Sequence, residues 1–142
     1  MKNEPLVFER TFDAPSSKVW KAITDKDEMK AWYFDIKNFK PEVGLEFEFM
    51  AGSEGKLFRH LCKVTEVIPN KKITYSWRYD GVEGNSFVTW ELFEEGNQTR
   101  LKLTHEGLET FPQDSSDFAK KNFIEGWTYF IETSLKNYLE KK

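Results

Sequence analysis

The sequence predicts an α+β domain in which an antiparallel sheet packs on one long C-terminal helix, with two short helices after the first strand. Three observations carry this. Between Gly44 and Glu106, apolar and polar residues alternate with a period of two in five successive stretches, each closed by a break carrying Gly, Pro or Asn. From Ser116 to Leu139 the apolar residues recur at three and four instead. One more alternating stretch and two short helical patterns precede both.

The first strand is "LVFERTF", Leu6–Phe12, with Leu6, Phe8 and Phe12 on one face and Arg10 interrupting it. "DAPSSKVW" ends that strand, and Ser16 or Ser17 is expected to N-cap a short helix carrying Val19, Trp20 and Ile23 on one side. Asp25 and Glu28 have the spacing of a capping box, in which each residue bonds the other's backbone N–H, and the helix they start turns Met29 and Trp32 inward.

In the meander, "GLEFEFM" sets Leu45, Phe47 and Phe49 against Glu46 and Glu48. "KLFRHLCKVTEV" is a longer strand, and "KITYSWRY" puts Ile73, Tyr75, Trp77 and Tyr79 on one face. "FVTWELF" offers Val88, Trp90 and Leu92; "TRLKLTH" offers Leu101, Leu103 and His105 against Arg100 and Lys102. The breaks "AGSEG", "IPNKK", "DGVEGN" and "EEGNQ" suit hairpin turns. A loop with Pro112 leads to Ser115, Ser116 and Asp117 as caps for the last helix, whose apolar set is Phe123, Trp127, Phe130, Ile131, Leu135, Tyr138 and Leu139.

A sheet with one aromatic face and a helix with one apolar face can bury both only by packing together. A helix of about 20 residues spans about 30 Å, enough to cross the sheet. Gly126 stands out in that helix, because an interior glycine costs about 1 kcal/mol relative to alanine. Either it lets the backbone approach a neighbour closely while Trp127 fills the space beside it, or it marks a break between two helices.

Composition narrows function. The chain has 142 residues, the size of one domain, so residues 1–142 are read as a single unit. Net charge is -3 and the 21 basic residues are scattered, which argues against nucleic acid. A single cysteine, Cys62, excludes an internal disulfide; the start "MKNEPLVFER" has no signal-peptide pattern, and no apolar run approaches the ~20 residues of a membrane span. A cytoplasmic protein is expected, as a monomer or homodimer. "NQT" at Asn97 matches a glycosylation acceptor, which has no consequence without secretion. His60 and Cys62 share a strand face, but the strand of His105 lies three positions away, about 14 Å at the usual strand spacing. Zinc needs its ligands within about 2 Å of one point, so no metal is expected. No phosphate loop or nucleophile elbow appears, so no organic cofactor and no catalytic residue is assigned. The excess is in rings: 13 Phe, 5 Trp and 5 Tyr make 16 % of the chain.

"FERTFDAPSSKVWKAITD", "AWYFD", "ITYSWRY", "VTWELFEEGNQTRLKLTHEGL" and "EGWTYFIETSLKNYL" together resemble the activator of heat shock protein 90 ATPase homologue-like family. That family lies in the START-like, or SRPBCC, superfamily of helix-grip folds, and the resemblance runs from about Leu6 to Leu139. It implies a curved antiparallel sheet gripping the C-terminal helix, with a cavity between them. The superfamily includes lipid carriers, cyclases, hormone receptors and many bacterial proteins, so it constrains fold more than function. The family name also implies a chaperone partner. The eukaryotic activators carry a further chaperone-binding domain for which this chain has no room, which sets that partner second to a small ligand.

Within that fold, Trp32, Phe47, Phe49, Tyr75, Trp77, Trp90, Phe123 and Trp127 are expected to line the space between sheet and helix, with His60, Tyr75 and Asn122 supplying polar contacts. Three readings follow. The first is a binding module for a small apolar or aromatic molecule. The second is a polyketide-cyclase-like enzyme, which requires a titratable group such as His60, Tyr75 or Glu66 deep in the cavity. The third is a protein-interaction domain with a filled core, distinguished from the others by the absence of a cavity.

Overall fold

The computed structural model describes residues 5–36, 38–53, 56–112, 118 and 120–140. Its six strands are β1 (Leu6–Phe12), β2 (Glu46–Ser53), β3 (Lys56–Ile68), β4 (Lys72–Tyr79), β5 (Ser86–Glu95) and β6 (Gln98–Glu106). They form one antiparallel sheet in the order β1-β6-β5-β4-β3-β2. The meander is as the alternation predicts, and β1 closes onto β6 with Phe8 opposite Leu103 and Phe12 opposite Thr99. Arg10, on the inward face of β1, is half-buried and meets Glu132 of the C-terminal helix, so the interruption in the apolar pattern is an ion pair.

Helices α1 (Ser16–Thr24) and α2 (Lys26–Trp32) cover one end of the sheet. The expected serine cap is corrected. Pro15 occupies the N-cap in an extended conformation without a side-chain bond, the helix begins on Ser16, and the Ser16 hydroxyl donates to Glu94 Oε2 at 3.2 Å. Only half of the capping box forms as read. The Asp25 carboxylate accepts from Glu28 N–H at 3.2 Å, whereas the Glu28 carboxylate accepts from the Tyr138 hydroxyl at 2.8 Å. Tertiary contact with the last helix has captured the second half of the motif.

A register shift in β3 corrects a further expectation. Val64 pairs with Tyr75 and Glu66 with Thr74, so two residues of β3 oppose one of β4. Strict alternation would put His60, Cys62, Val64 and Glu66 on one face. The bulge turns Glu66 out to solvent, where it pairs with Lys72 at 3.3 Å.

The C-terminal helix runs as α3 (Lys120–Thr128), a π-helical segment (Tyr129–Leu135) and α4 (Lys136–Glu140). The expected caps Ser115, Ser116 and Asp117 lie outside the described residues. Its buried side chains are Phe123, Trp127, Ile131, Leu135 and Leu139, each four residues after the last. On a pure α-helix, at 3.6 residues per turn, such a series drifts by about 40° per step and leaves the sheet. The π segment holds more residues in each turn, because its bonds reach i+5, and so returns Ile131 and Leu135 to the core.

Gly126 sits inside α3, so it is not a break between helices. The close-approach reading is also overturned: a Cβ built at Gly126 meets nothing within 4 Å. With space for a methyl group and helical backbone on both sides, Gly126→Ala is expected to stabilise the fold by about 1 kcal/mol. Urea unfolding checks this, and a destabilised alanine variant would restore the packing role.

Candidate functional site

The inner face of the sheet and the helix enclose an aromatic chamber. Cross-strand rows build its wall: Phe47 pairs with Cys62, Cys62 with Trp77 and Trp77 with Ser86, while Val64 pairs with Tyr75, Tyr75 with Val88 and Val88 with His105. Nine of the ten sequence-predicted residues are buried there: Trp32, Phe47, Phe49, His60, Tyr75, Trp77, Trp90, Phe123 and Trp127. Asn122 is not among them. It lies on the exposed side of α3, one position before the buried Phe123, because the four-residue stripe that faces the sheet excludes it. Glu66 is outside as well.

Trp127 is the centre of the helix side. Its ring lies 5.6 Å from Trp77, 5.7 Å from Trp90 and 5.8 Å from His105, and its indole N–H donates to His105 Nδ1 at 3.0 Å. An indole can only donate, so Nδ1 carries no proton and the ring hydrogen is on Nε2. Nε2–H then donates to Ser86 Oγ at 2.9 Å, and Ser86 donates to the Trp77 carbonyl at 2.7 Å. Burial holds His105 neutral, with its pKa lowered to about 3.

His60 faces the other side of Trp77. It stacks on Phe49 at 4.5 Å, meets the Trp77 edge at 5.0 Å, and donates from Nδ1 to the Phe58 carbonyl at 2.9 Å. Desolvation lowers its pKa to about 4 despite that bond. Both histidines therefore reach the same indole from strands separated by two others. Among the described residues, no three His, Cys, Asp or Glu side chains gather as a metal site. Cys62 is buried and its thiol pKa is pushed up by burial, so it is held as the unreactive thiol.

A second polar group lies among the rings. The Tyr75 hydroxyl accepts from Trp90 Nε1 at 3.1 Å and lies 3.0 Å from the Tyr33 hydroxyl. Burial raises both phenol pKa values, most of all through lost solvation, so both remain neutral.

Tyr33 and Phe34 are members of this site that the sequence reading passed over. Phe34 stacks on Phe49 at 4.2 Å; Tyr33 lies 5.0 Å from Phe130 and 6.0 Å from Trp90. The signal was the run "WYF" at Trp32–Phe34, three consecutive rings that no single helix or strand face can bury together. With them, rings in mutual contact occupy the space between sheet and helix where the cavity is expected. Two open clefts lie elsewhere, one of about 1010 Å³ between α1, α2 and the π-helical segment, lined by Lys18, Lys21, Glu28 and Tyr138, and one of about 610 Å³ on the outer side of β2–β4.

The curved sheet around a long C-terminal helix, with short helices after the first strand, defines a helix-grip domain of the START-like superfamily. The chain belongs to the family of activator of Hsp90 ATPase homolog 1-like proteins, whose model matches residues 13–140. Among solved structures it is similar to protein Mll3558 from Rhizobium loti, with 24 % identity, a TM-score of 0.83, and coverage of 96 % of this chain and 97 % of that one. Protein CV1439 from Chromobacterium violaceum is 22 % identical at a TM-score of 0.80, with both chains covered completely. Protein BH1534 from Bacillus halodurans is 26 % identical at a TM-score of 0.74, with 96 % of each chain covered. No curated protein matches the chain. No helix among the described residues is long and apolar enough to cross a membrane.

Proposed function

We propose that the protein is a binding module for a small apolar or aromatic molecule, held in the chamber between the sheet and the C-terminal helix. The observation that carries this is the combination of an almost wholly aromatic lining with a few inward hydroxyl and imidazole groups, the composition of a ligand site. Membership of the START-like superfamily supports the same reading. Trp32, Phe47, Phe49, Tyr75, Trp77, Trp90, Phe123 and Trp127 are proposed as contact residues. His60 offers a neutral imidazole, and metal and organic cofactor have no assigned role.

The cyclase reading has less behind it. His60 at a pKa of about 4 is a weak base at neutral pH, and Glu66 is outside the chamber. The mutual contacts of these rings favour a second reading, a protein-interaction domain with a solid core. One experiment separates the two. Protein purified from its own host is expected to carry an organic molecule visible by native mass spectrometry, and adding that molecule at about 100 times its Kd should stabilise the fold by about 2.7 kcal/mol. Protein that carries no organic mass, and that no compound of an aromatic library stabilises, would establish the solid core.

A further inference from the structure

We infer that Tyr33 occupies the place of the ligand, and that the molecule it stands in for carries a phenol whose oxygen bonds Tyr75 while its ring lies between Trp90 and Phe130. The inference rests on the binding-module reading above and names the ligand class.

The first support is chemical. The Tyr33 ring is boxed by Trp32 at 5.0 Å, Phe130 at 5.0 Å, Trp90 at 6.0 Å and Trp127 at 6.3 Å. At the end of this box are two hydroxyls 3.0 Å apart, one of them also accepting from the Trp90 indole. The Tyr75 hydroxyl gives the buried Trp90 indole its acceptor, and the Tyr33 hydroxyl adds a further polar group to an otherwise apolar box, where each buried hydroxyl must be compensated bond for bond. Tyr75 is satisfied on one side by Trp90, and its remaining hydrogen-bonding capacity is aimed at a phenol oxygen.

The second support is where Tyr33 comes from. Every other wall of the box belongs to a helix or strand, whereas Tyr33 follows the end of α2, and from there to Leu45 the described chain forms neither helix nor strand. Trp32 before it is fixed by its indole N–H to the Ala22 carbonyl at 2.7 Å, and Ile36 and Phe39 after it are buried. Tyr33 and Phe34 are only partly buried between these anchors, so the two rings can leave without unfolding either end. The facing wall, Phe130, is on the π-helical segment, the least regular part of the helix. A ligand that displaces Tyr33 competes with a tethered ring, and its apparent affinity is reduced by the fraction of molecules in which the ring is in place.

p-Cresol, the Tyr side chain as a free molecule, and toluene, the same shape without the hydroxyl, test this by tryptophan fluorescence and calorimetric titration. The wild-type protein is expected to bind p-cresol at least tenfold more tightly than toluene. Tyr75→Phe should remove that preference, and Tyr33→Ala should tighten p-cresol by about tenfold or more. Equal binding of both probes by the wild type overturns the phenol assignment and leaves the binding-module reading standing. Binding of p-cresol by Tyr33→Ala alone marks Tyr33 as fixed core and overturns the inference, and no binding of p-cresol by either protein overturns the inference while the binding-module reading is decided by the mass spectrometry above. Where Tyr33→Ala does not fold, the wild-type and Tyr75→Phe titrations decide.

Discussion

Trp127→Ala is expected to lower stability by about 3–5 kcal/mol, the cost of a large truncation where the surroundings cannot collapse. Trp127 is 3 % exposed, and its ring touches partners on three strands and on the loop after α2. The loss is more than volume. Without the indole N–H, His105 Nδ1 is left as a buried acceptor with no donor, which costs about 1–3 kcal/mol where water cannot enter. Tyr129→Ala, two positions away at an exposed site, is expected to change stability by no more than about 0.5 kcal/mol. Urea unfolding of both variants measures the contrast. A Trp127→Ala protein as stable as Tyr129→Ala would mean that the chamber already holds space around this ring.

Stability should fall steeply as the solution is acidified from pH 6.5 towards 4. His60 and His105 are both shifted down, to about 4 and about 3, in each case first by desolvation. In the unfolded chain each takes up a proton near pH 6.5, while the folded protein stays neutral well below that. The unfolded state therefore binds more protons across this window, and folding stability rises with pH. The contribution is fully present above pH 6.5 and is lost as pH drops through the folded values. Each histidine adds a slope of up to about 1.4 kcal/mol per pH unit. His105→Gln removes one titrating group, and although it lowers stability at every pH, it should reduce the slope between pH 6 and 5 by about half. Urea unfolding at a series of pH values measures that slope, and an unchanged slope would show that His105 is not held neutral by burial.

What repeats locally along this chain was legible without any structure. Alternation from Gly44 to Glu106 placed Tyr75, Trp77, Trp90 and His105 on the inner face, because side chains of a strand point to opposite sides in turn and no distant contact changes that. The same rule put six of the ten candidate residues, Phe47, Phe49, His60, Tyr75, Trp77 and Trp90, on that inner face, and helical spacing added Trp32, Phe123 and Trp127. Alternation failed for Glu66, where an inserted residue in β3 shifts it, and helical spacing failed for Asn122, which lies beside the four-residue stripe. That stripe was in the sequence at Phe123, Trp127, Ile131, Leu135 and Leu139, and the π segment is its consequence. Three features depend on contacts between distant parts of the chain. Glu28 left its capping box for Tyr138, 110 residues away in the chain. Gly126 turned out to face open space. Tyr33 and Phe34 entered the chamber from a stretch with no period to read. Periodicity records which face of an element is apolar; how closely two such faces meet, and which loop side chains fill the gap, depends on volumes contributed by residues far apart in the chain.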